Sequence, residues 1–159
     1  MDLRAEKWFL KPFETIEGIT EVWMYDEIYR IYVHLLTDCG EDKLSRWMAR
    51  VMNIKDSENH DKNLAGCCIK ITNPNGGLVG LVITTPFKWE GKFEDIVTLF
   101  HECYHVASYT LFSRGLKHTS ETEEAFCYFH ESLVRRLHNA MLIKPVKYSQ
   151  WKTKRKSKK

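Results

Sequence analysis

The chain has 159 residues, of which 43% are hydrophobic and 28% are charged, so a single globular domain with a sizeable core is expected. No apolar run is long enough for a membrane-spanning helix, and the opening residues, MDLRAEKWFLKPFE, lack the apolar stretch of a signal peptide. The five cysteines are an odd number and do not suggest a disulfide framework. A cytoplasmic location without membrane contact is therefore predicted.

The basic residues are concentrated at the C-terminus. Residues 144–159 contain eight Lys or Arg and no acid, whereas residues 1–143 have 16 basic and 21 acidic residues, a net charge of −5. Because the basic segment has little apolar surface to bury, we expect a domain over 1–143 and a disordered tail over 144–159. Two interpretations of the tail stay open: a solubilising terminus, or contact with nucleic acid or another polyanion.

The first half of the chain reads mainly as strands. Residues 19–36 are rich in aromatic and β-branched residues, and the alternation from Tyr29 to Leu35 favours a strand over a competing helix. Apolar residues at spacings of three and four predict a helix over 41–53, and the polar residues 53–63 predict a loop. Residues 67–85, CCIKIT and LVGLVITT around the turn NPNGG, predict a β-hairpin.

Two long helices are predicted for the second half. From Phe93 the apolar residues recur with helical spacing up to Gly115, which is placed as a C-terminal cap. The second helix is expected from Ser120 to about Met141, and Cys103 and Cys127 are expected to face each other between the two helices. Strands followed by two helices predict an α+β fold class with the sheet packed on the helices.

Residues 101–105, HECYH, lie in the middle of the first of these helices. On a helix, His101 and His105 are one turn apart and project side by side, so both imidazoles can bind one Zn²⁺ at about 2.0–2.1 Å. Glu102 is placed to act as a general base toward a water molecule activated by the metal. A surface helix with two solvated histidines is the alternative, but the flanking residues are strongly apolar and a polar trio there needs partners.

A zinc site needs a third protein ligand, for which the following residues offer His118, Glu121, Glu123, Glu124, His130 and Glu131. Ser120 and Glu123 have the spacing of a capping box, which predicts that the Glu123 side chain turns back to its own helix end. Glu124 lies about 100° further round the helix and is free to point at the neighbouring helix. A helix start shifted by one residue would free Glu123 instead, so both glutamates stay candidates.

The spacing HExxH-x18-E, formed by HECYH and Glu124, resembles that of the gluzincin metallopeptidases, most closely the zinc-aminopeptidase branch. That branch places Asn-Glu-Gly-Phe-Ala around its glutamate ligand, where this chain has Glu-Glu-Ala-Phe-Cys at 123–127. The resemblance covers roughly residues 77–135 and implies a minimal zincin-like domain, with a small sheet packed on an active-site helix and a glutamate-bearing helix after it. It implies His101, His105 and Glu124 as zinc ligands and Glu102 as the catalytic base.

The activity that this resemblance implies is zinc-dependent hydrolysis of a peptide or protein substrate, whose strand would add alongside the LVGLVITT edge. The chain departs from the family in having Glu123 where the family has asparagine, and in lacking the Gly-Ala-Met-Glu-Asn type of segment that binds a substrate amino terminus. Two further hypotheses therefore stay open. One is a zincin-fold structural or interaction module without catalysis, and the other is a protein that docks on nucleic acid through residues 144–159.

Overall fold

A computed structural model describes residues 13–14, 18–52, 66–143 and 146–147. In chain order the elements are β1 (Phe13–Glu14), β2 (Thr20–Asp26), β3 (Ile31–Thr37), α1 (Glu41–Trp47), a π-helical turn (Met48–Met52), β4 (Cys67–Thr72), β5 (Leu78–Thr84), α2 (Phe93–Ser113), α3 (Glu123–Met141) and β6 (Val146–Lys147). The predicted α+β class is confirmed. None of the helices in these ranges combines the length and apolar character needed to cross a membrane.

The strands form one mixed sheet in the order β4-β5-β3-β2-β1-β6. Neighbouring strands are antiparallel except for β3 with β5 and β1 with β6, which are parallel. Four of the strands are long, and β4 lies at one edge. The predicted LVGLVITT edge is therefore wrong: this segment becomes β5, which is hydrogen-bonded to β4 on one side and to β3 on the other.

The segment 19–36, in which the alternation from Tyr29 to Leu35 favours a strand, contains two strands, β2 and β3, joined by a tight turn. The Asp26 carboxylate accepts a hydrogen bond from the backbone N–H of Tyr29 at 2.9 Å, and Arg30 adopts a left-handed conformation with φ +50°. The alternation nevertheless identified the buried face of β3 correctly, since its residues there are fully buried: Ile31, Val33 and Leu35.

The predicted helix, which is α1, and the predicted hairpin of β4 and β5 are confirmed. The helix predicted over 41–53 is present from Glu41 to Met52, the last described residue of this segment, and its last turn widens into the π-helical turn. In the hairpin the Asn73 side chain accepts hydrogen bonds from the backbone N–H groups of Asn75 at 3.0 Å and Gly77 at 2.9 Å. The loop predicted for 53–63 lies outside the described residues.

The first long helix ends as predicted, but the second begins later. Gly115 has φ +82° just after α2, and its N–H donates to the carbonyl of Phe112. Residues 119–122 form a turn in which the Thr122 hydroxyl accepts a hydrogen bond from the N–H of Thr119 at 3.0 Å and also contacts the Lys117 carbonyl. Because α3 begins only at Glu123, the predicted capping box between Ser120 and Glu123 is wrong.

The sheet is covered on both faces. The face toward α2 and α3 carries the larger core, which includes Val33, Leu35, Leu81, Ile83, Leu99, Cys103, Val106, Phe129, Leu133 and Leu137. The opposite face packs against α1 and the π-helical turn through Leu36, Leu44, Trp47, Met48, Ile71 and Val82. Cys103 lies in the larger core but Cys127 is exposed, so the predicted contact between two buried cysteines is wrong.

The β2–β3 turn fixes the two long helices against the sheet. Arg136 of α3 lies 3.2 Å from the Asp26 carboxylate, and both side chains are largely buried. Arg114, just after α2, donates to the backbone carbonyl of Tyr29 at 2.6 Å. The helices are antiparallel neighbours, since Trp89, ahead of α2, contacts His138 near the end of α3. This arrangement holds the middle of α2, which carries HECYH, beside α3.

Two residues of the predicted basic tail belong to the sheet. Val146 and Lys147 form β6, which pairs in parallel with β1. The rest of the segment 144–159 lies outside the described residues. Its predicted disorder and its predicted contact with a polyanion stay predictions.

Candidate active site

His101 and His105 project side by side from α2. His101 is exposed, His105 is partly buried, and their Nε2 atoms are 3.2 Å apart. Two nitrogen ligands of a tetrahedral zinc ion, each about 2.0–2.1 Å from the metal, are about 3.3–3.4 Å apart. The two imidazoles therefore fit two coordination positions of one zinc ion.

The apolar face of α2 determines this orientation. Leu99, Cys103 and Val106 are fully buried against the sheet and α3. His101 and His105 lie about half a turn away from this face, because each residue advances about 100° round the helix. The apolar periodicity that predicted the helix therefore also directs the histidines away from the core.

Glu102 differs from the two histidines in being buried, with 4% of its surface exposed. It lies against Gly66, the residue just before the edge strand β4. A Cβ atom on Gly66 would lie 3.0 Å from the Glu102 Oε1 atom and 2.8 Å from the Thr98 methyl group. Only glycine allows so close an approach of the strand to this carboxylate. Glu102 is thus held between the histidine pair and the start of β4.

Burial raises the pKa of Glu102 above its usual range, although the neighbouring His101 and His105 act in the opposite direction. The pKa values of the thiols of Cys67, Cys68 and Cys103 are also raised, first by burial and then by the negative charge of Glu102. Neutral thiols therefore surround a carboxylate that is more basic than an exposed one. A raised basicity suits a group that must take a proton from water.

The predicted third ligand is not brought into contact with the histidines. Glu124 is exposed in the first turn of α3. In the described ranges, no three His, Cys, Asp or Glu side chains lie close enough together to hold a metal ion. His130 lies on the side of α3 that contacts α2. Round the helix axis, Glu124 is about 120° from His130, whereas Glu123 is about 20° from it. The choice between the two glutamates stays open.

The other candidates for the third ligand lie apart from the pair or are engaged elsewhere. His118 packs edge-on against Phe126, at 4.6 Å between ring centroids, and Glu121 and Glu131 are exposed. His130 Nε2 lies 2.9 Å from the carbonyl of Phe100, and its ring packs on the Phe100 ring.

Aromatic rings border the histidine pair on two sides. Tyr109 stacks on His105 with ring centroids 5.9 Å apart and planes inclined by 20°. Tyr104 and Phe100 are exposed on the other side, toward α3, where Tyr104 contacts both His105 and His130. The site is thus an open, aromatic-lined surface with a buried carboxylate at its base.

Sequence reasoning missed Gly66, Tyr109 and Lys70, whose ammonium group lies 4.8 Å from the centroid of the Tyr109 ring. Gly66 lies 36 positions before Glu102, and no local pattern reports a contact over that separation. Tyr109 follows His105 by four residues, a spacing that predicts a shared helix side, but its position beside β4 depends on the packing of the strand.

Comparisons with known proteins give no relatives: no protein-family model, no curated protein and no solved structure matches this chain.

Proposed function

We propose that this chain is a zinc-dependent peptide hydrolase with a zincin-like fold. The observation that carries the proposal is the 3.2 Å separation of the two Nε2 atoms, which matches two ligand positions of tetrahedral zinc, beside a buried carboxylate. His101 and His105 would hold the metal, and Glu124 is the proposed third ligand. Glu123 is the competing residue because it lies on the side of α3 that meets α2.

Zinc bound there would polarise the scissile carbonyl and lower the pKa of the attacking water. Glu102 takes a proton from that water as the new carbon–oxygen bond forms, and it passes the proton to the leaving amine as the carbon–nitrogen bond breaks. Among the described residues β4 pairs on one side only, with β5, so a peptide can add along its other side as a further strand.

The test is metal analysis of the protein purified without added zinc, followed by a peptidase assay on an unfolded protein such as casein. About one zinc per chain is expected, together with cleavage that disappears in the Glu102→Gln variant. Absence of zinc, with no thermal stabilisation on adding it, would remove the proposal.

A non-catalytic zincin-fold interaction module is the second candidate. It is favoured by the absence of a third metal donor beside the two histidines among the described residues. The same experiment separates the two, because such a module would cleave nothing whether or not it binds zinc. Docking on nucleic acid through residues 144–159 and a cytoplasmic location stay predictions.

A further inference from the structure

The edge strand β4 runs alongside α2. Gly66, before the strand, lies against Thr98 and Glu102, and Lys70 lies against Tyr109. From Gly66 to Lys70 an extended chain advances about 13 Å, and a helix advances about the same distance over nine residues. The strand and the helix therefore run in the same direction, with the histidine pair between the two contacts.

Lys70 places a positive charge where β4 lies against α2. Its side chain is on the sheet face that carries α2, because its neighbours Ile69 and Ile71 pack into the core on the other face. It is exposed, and its ammonium group lies over the Tyr109 ring, 4.8 Å from the centroid. No carboxylate of the described residues forms an ion pair with it. A cation–π contact restricts the position of the ammonium group while leaving its hydrogen-bond donors available.

Tyr109 connects this cation to the candidate metal site. Its ring stacks on His105 at 5.9 Å and receives Lys70 at 4.8 Å. The ammonium group is therefore at most about 11 Å from the His105 ring, the length of about three extended residues. Consider a peptide that lies along β4 with its scissile bond at the histidine pair. A side chain or terminus of that peptide within three residues of the scissile bond can reach Lys70.

We propose that Lys70, held by Tyr109, is a subsite for a carboxylate group of the substrate, so that this site selects peptides with an acidic group within three residues of the bond cleaved. The inference rests on the proposed hydrolase function. Charge complementarity carries it, since no carboxylate of the described residues pairs with this ammonium group and a substrate carboxylate can do so. That carboxylate belongs either to an Asp or Glu side chain or to the C-terminus of the peptide.

The experiment uses the zinc-loaded full chain and fluorogenic peptides of one common sequence. Glu or Gln is placed at each of three positions on either side of the cleaved bond, and the C-terminus is free or amidated. We expect kcat/KM to be about tenfold higher or more for the best acidic peptide, the effect of one charge-assisted hydrogen bond. Preference for internal Glu would assign the side chain as the ligand, and preference for the free terminus would assign the terminal carboxylate.

Variants give the controls. Lys70→Met should abolish the preference, and Lys70→Glu should reverse it in favour of peptides with Lys. Lys88→Met removes an exposed lysine from the loop between β5 and α2 and should retain the preference. Tyr109→Phe keeps the ring face and should also retain it.

A second measurement separates this inference from the proposed function. Binding of the same peptides, labelled with a fluorophore, is measured by anisotropy on zinc-loaded Glu102→Gln protein, with and without Lys70→Met. Cleavage without acidic preference would overturn the subsite alone. Lys70-dependent binding of acidic peptides with no cleavage by the wild type would keep the subsite and overturn hydrolysis. Neither binding nor cleavage would overturn both.

Discussion

Two clusters of histidine and glutamate lie on opposite faces of the same sheet, and they are built in opposite ways. In the first, the closed cluster, the Glu21 carboxylate lies 2.9 Å from His34 Nδ1 and accepts a hydrogen bond from the Trp47 indole at 3.0 Å. All three residues are buried. In the second, the open cluster, the Nε2 atoms of His101 and His105 are 3.2 Å apart and lie at the surface.

The difference teaches which polar cluster is available for chemistry. Both oxygens of Glu21 have protein partners, so the closed cluster fastens α1 to the sheet. The open cluster presents nitrogen atoms that a metal can bind and a carboxylate with raised pKa beside them. Composition alone does not separate the two clusters, since each contains histidine and glutamate.

The largest expected effect is on zinc affinity in the open cluster. His101→Ala should lower the zinc affinity by more than about 100-fold. Removing a residue that only hydrogen-bonds to a metal ligand costs about 10–100-fold, and removing a ligand itself should cost more. Glu124→Ala should act similarly and Glu123→Ala should leave zinc bound, as measured by competition with a chelating dye. Zinc lost in Glu123→Ala and kept in Glu124→Ala would assign Glu123 as the ligand.

Next is the stability of the closed cluster. Glu21→Ala leaves His34 and Trp47 without their buried acceptor and should lower the free energy of unfolding by about 3–5 kcal/mol, as for a broken buried pair. Glu21→Gln keeps one acceptor and should cost less. Urea unfolding followed by tryptophan fluorescence measures both. Zinc affinity should stay unchanged, and a parallel loss of zinc would show that the clusters are not independent.

A smaller loss of stability is expected where β4 meets the open cluster. Gly66→Ala places a Cβ atom 2.8 Å from the Thr98 methyl group and 3.0 Å from Glu102 Oε1, so the structure must shift. Overpacking of this kind costs about 1–3 kcal/mol. Thermal unfolding measures it, with Gly40→Ala as the control because a Cβ atom at Gly40 meets nothing within 4 Å. Equal melting temperatures of the two variants would contradict the close contact.

The smallest effect concerns Glu102→Gln in metal-free protein. The pKa of Glu102 is raised in the folded state, so the folded protein holds this proton more tightly than the unfolded chain does. The stability that this proton contributes is present below the unfolded-state pKa and is lost as pH rises through the folded-state pKa. At pH 7 the buried carboxylate is therefore a cost, and Glu102→Gln should be slightly more stable than the wild type. The difference should vanish below about pH 4. Melting curves at both pH values check it, and lower stability at pH 7 would contradict the burial argument.

Local sequence patterns predicted an element correctly where a single signal, such as an apolar period or a set of turn residues, was sufficient to identify it. The period of the apolar residues identified α2 and the turn residues identified the β4–β5 hairpin, because both signals come from neighbours in the chain. The pattern failed at Tyr29, where the alternation began two residues before β3, inside the turn formed with Asp26. It failed again at Ser120, where a capping spacing existed but Thr122 made the hydrogen bonds.

The sequence by itself determined that His101 and His105 share one side of a helix, because their separation of four residues is close to one helical turn. Only the tertiary structure decided which strand is the edge, that Glu102 is buried against Gly66, and that Lys70 lies over Tyr109. These features depend on the parallel pairing of β3 with β5 and on the packing of α2 against the sheet. The residues involved are tens of positions apart, so no local periodicity can report their contact.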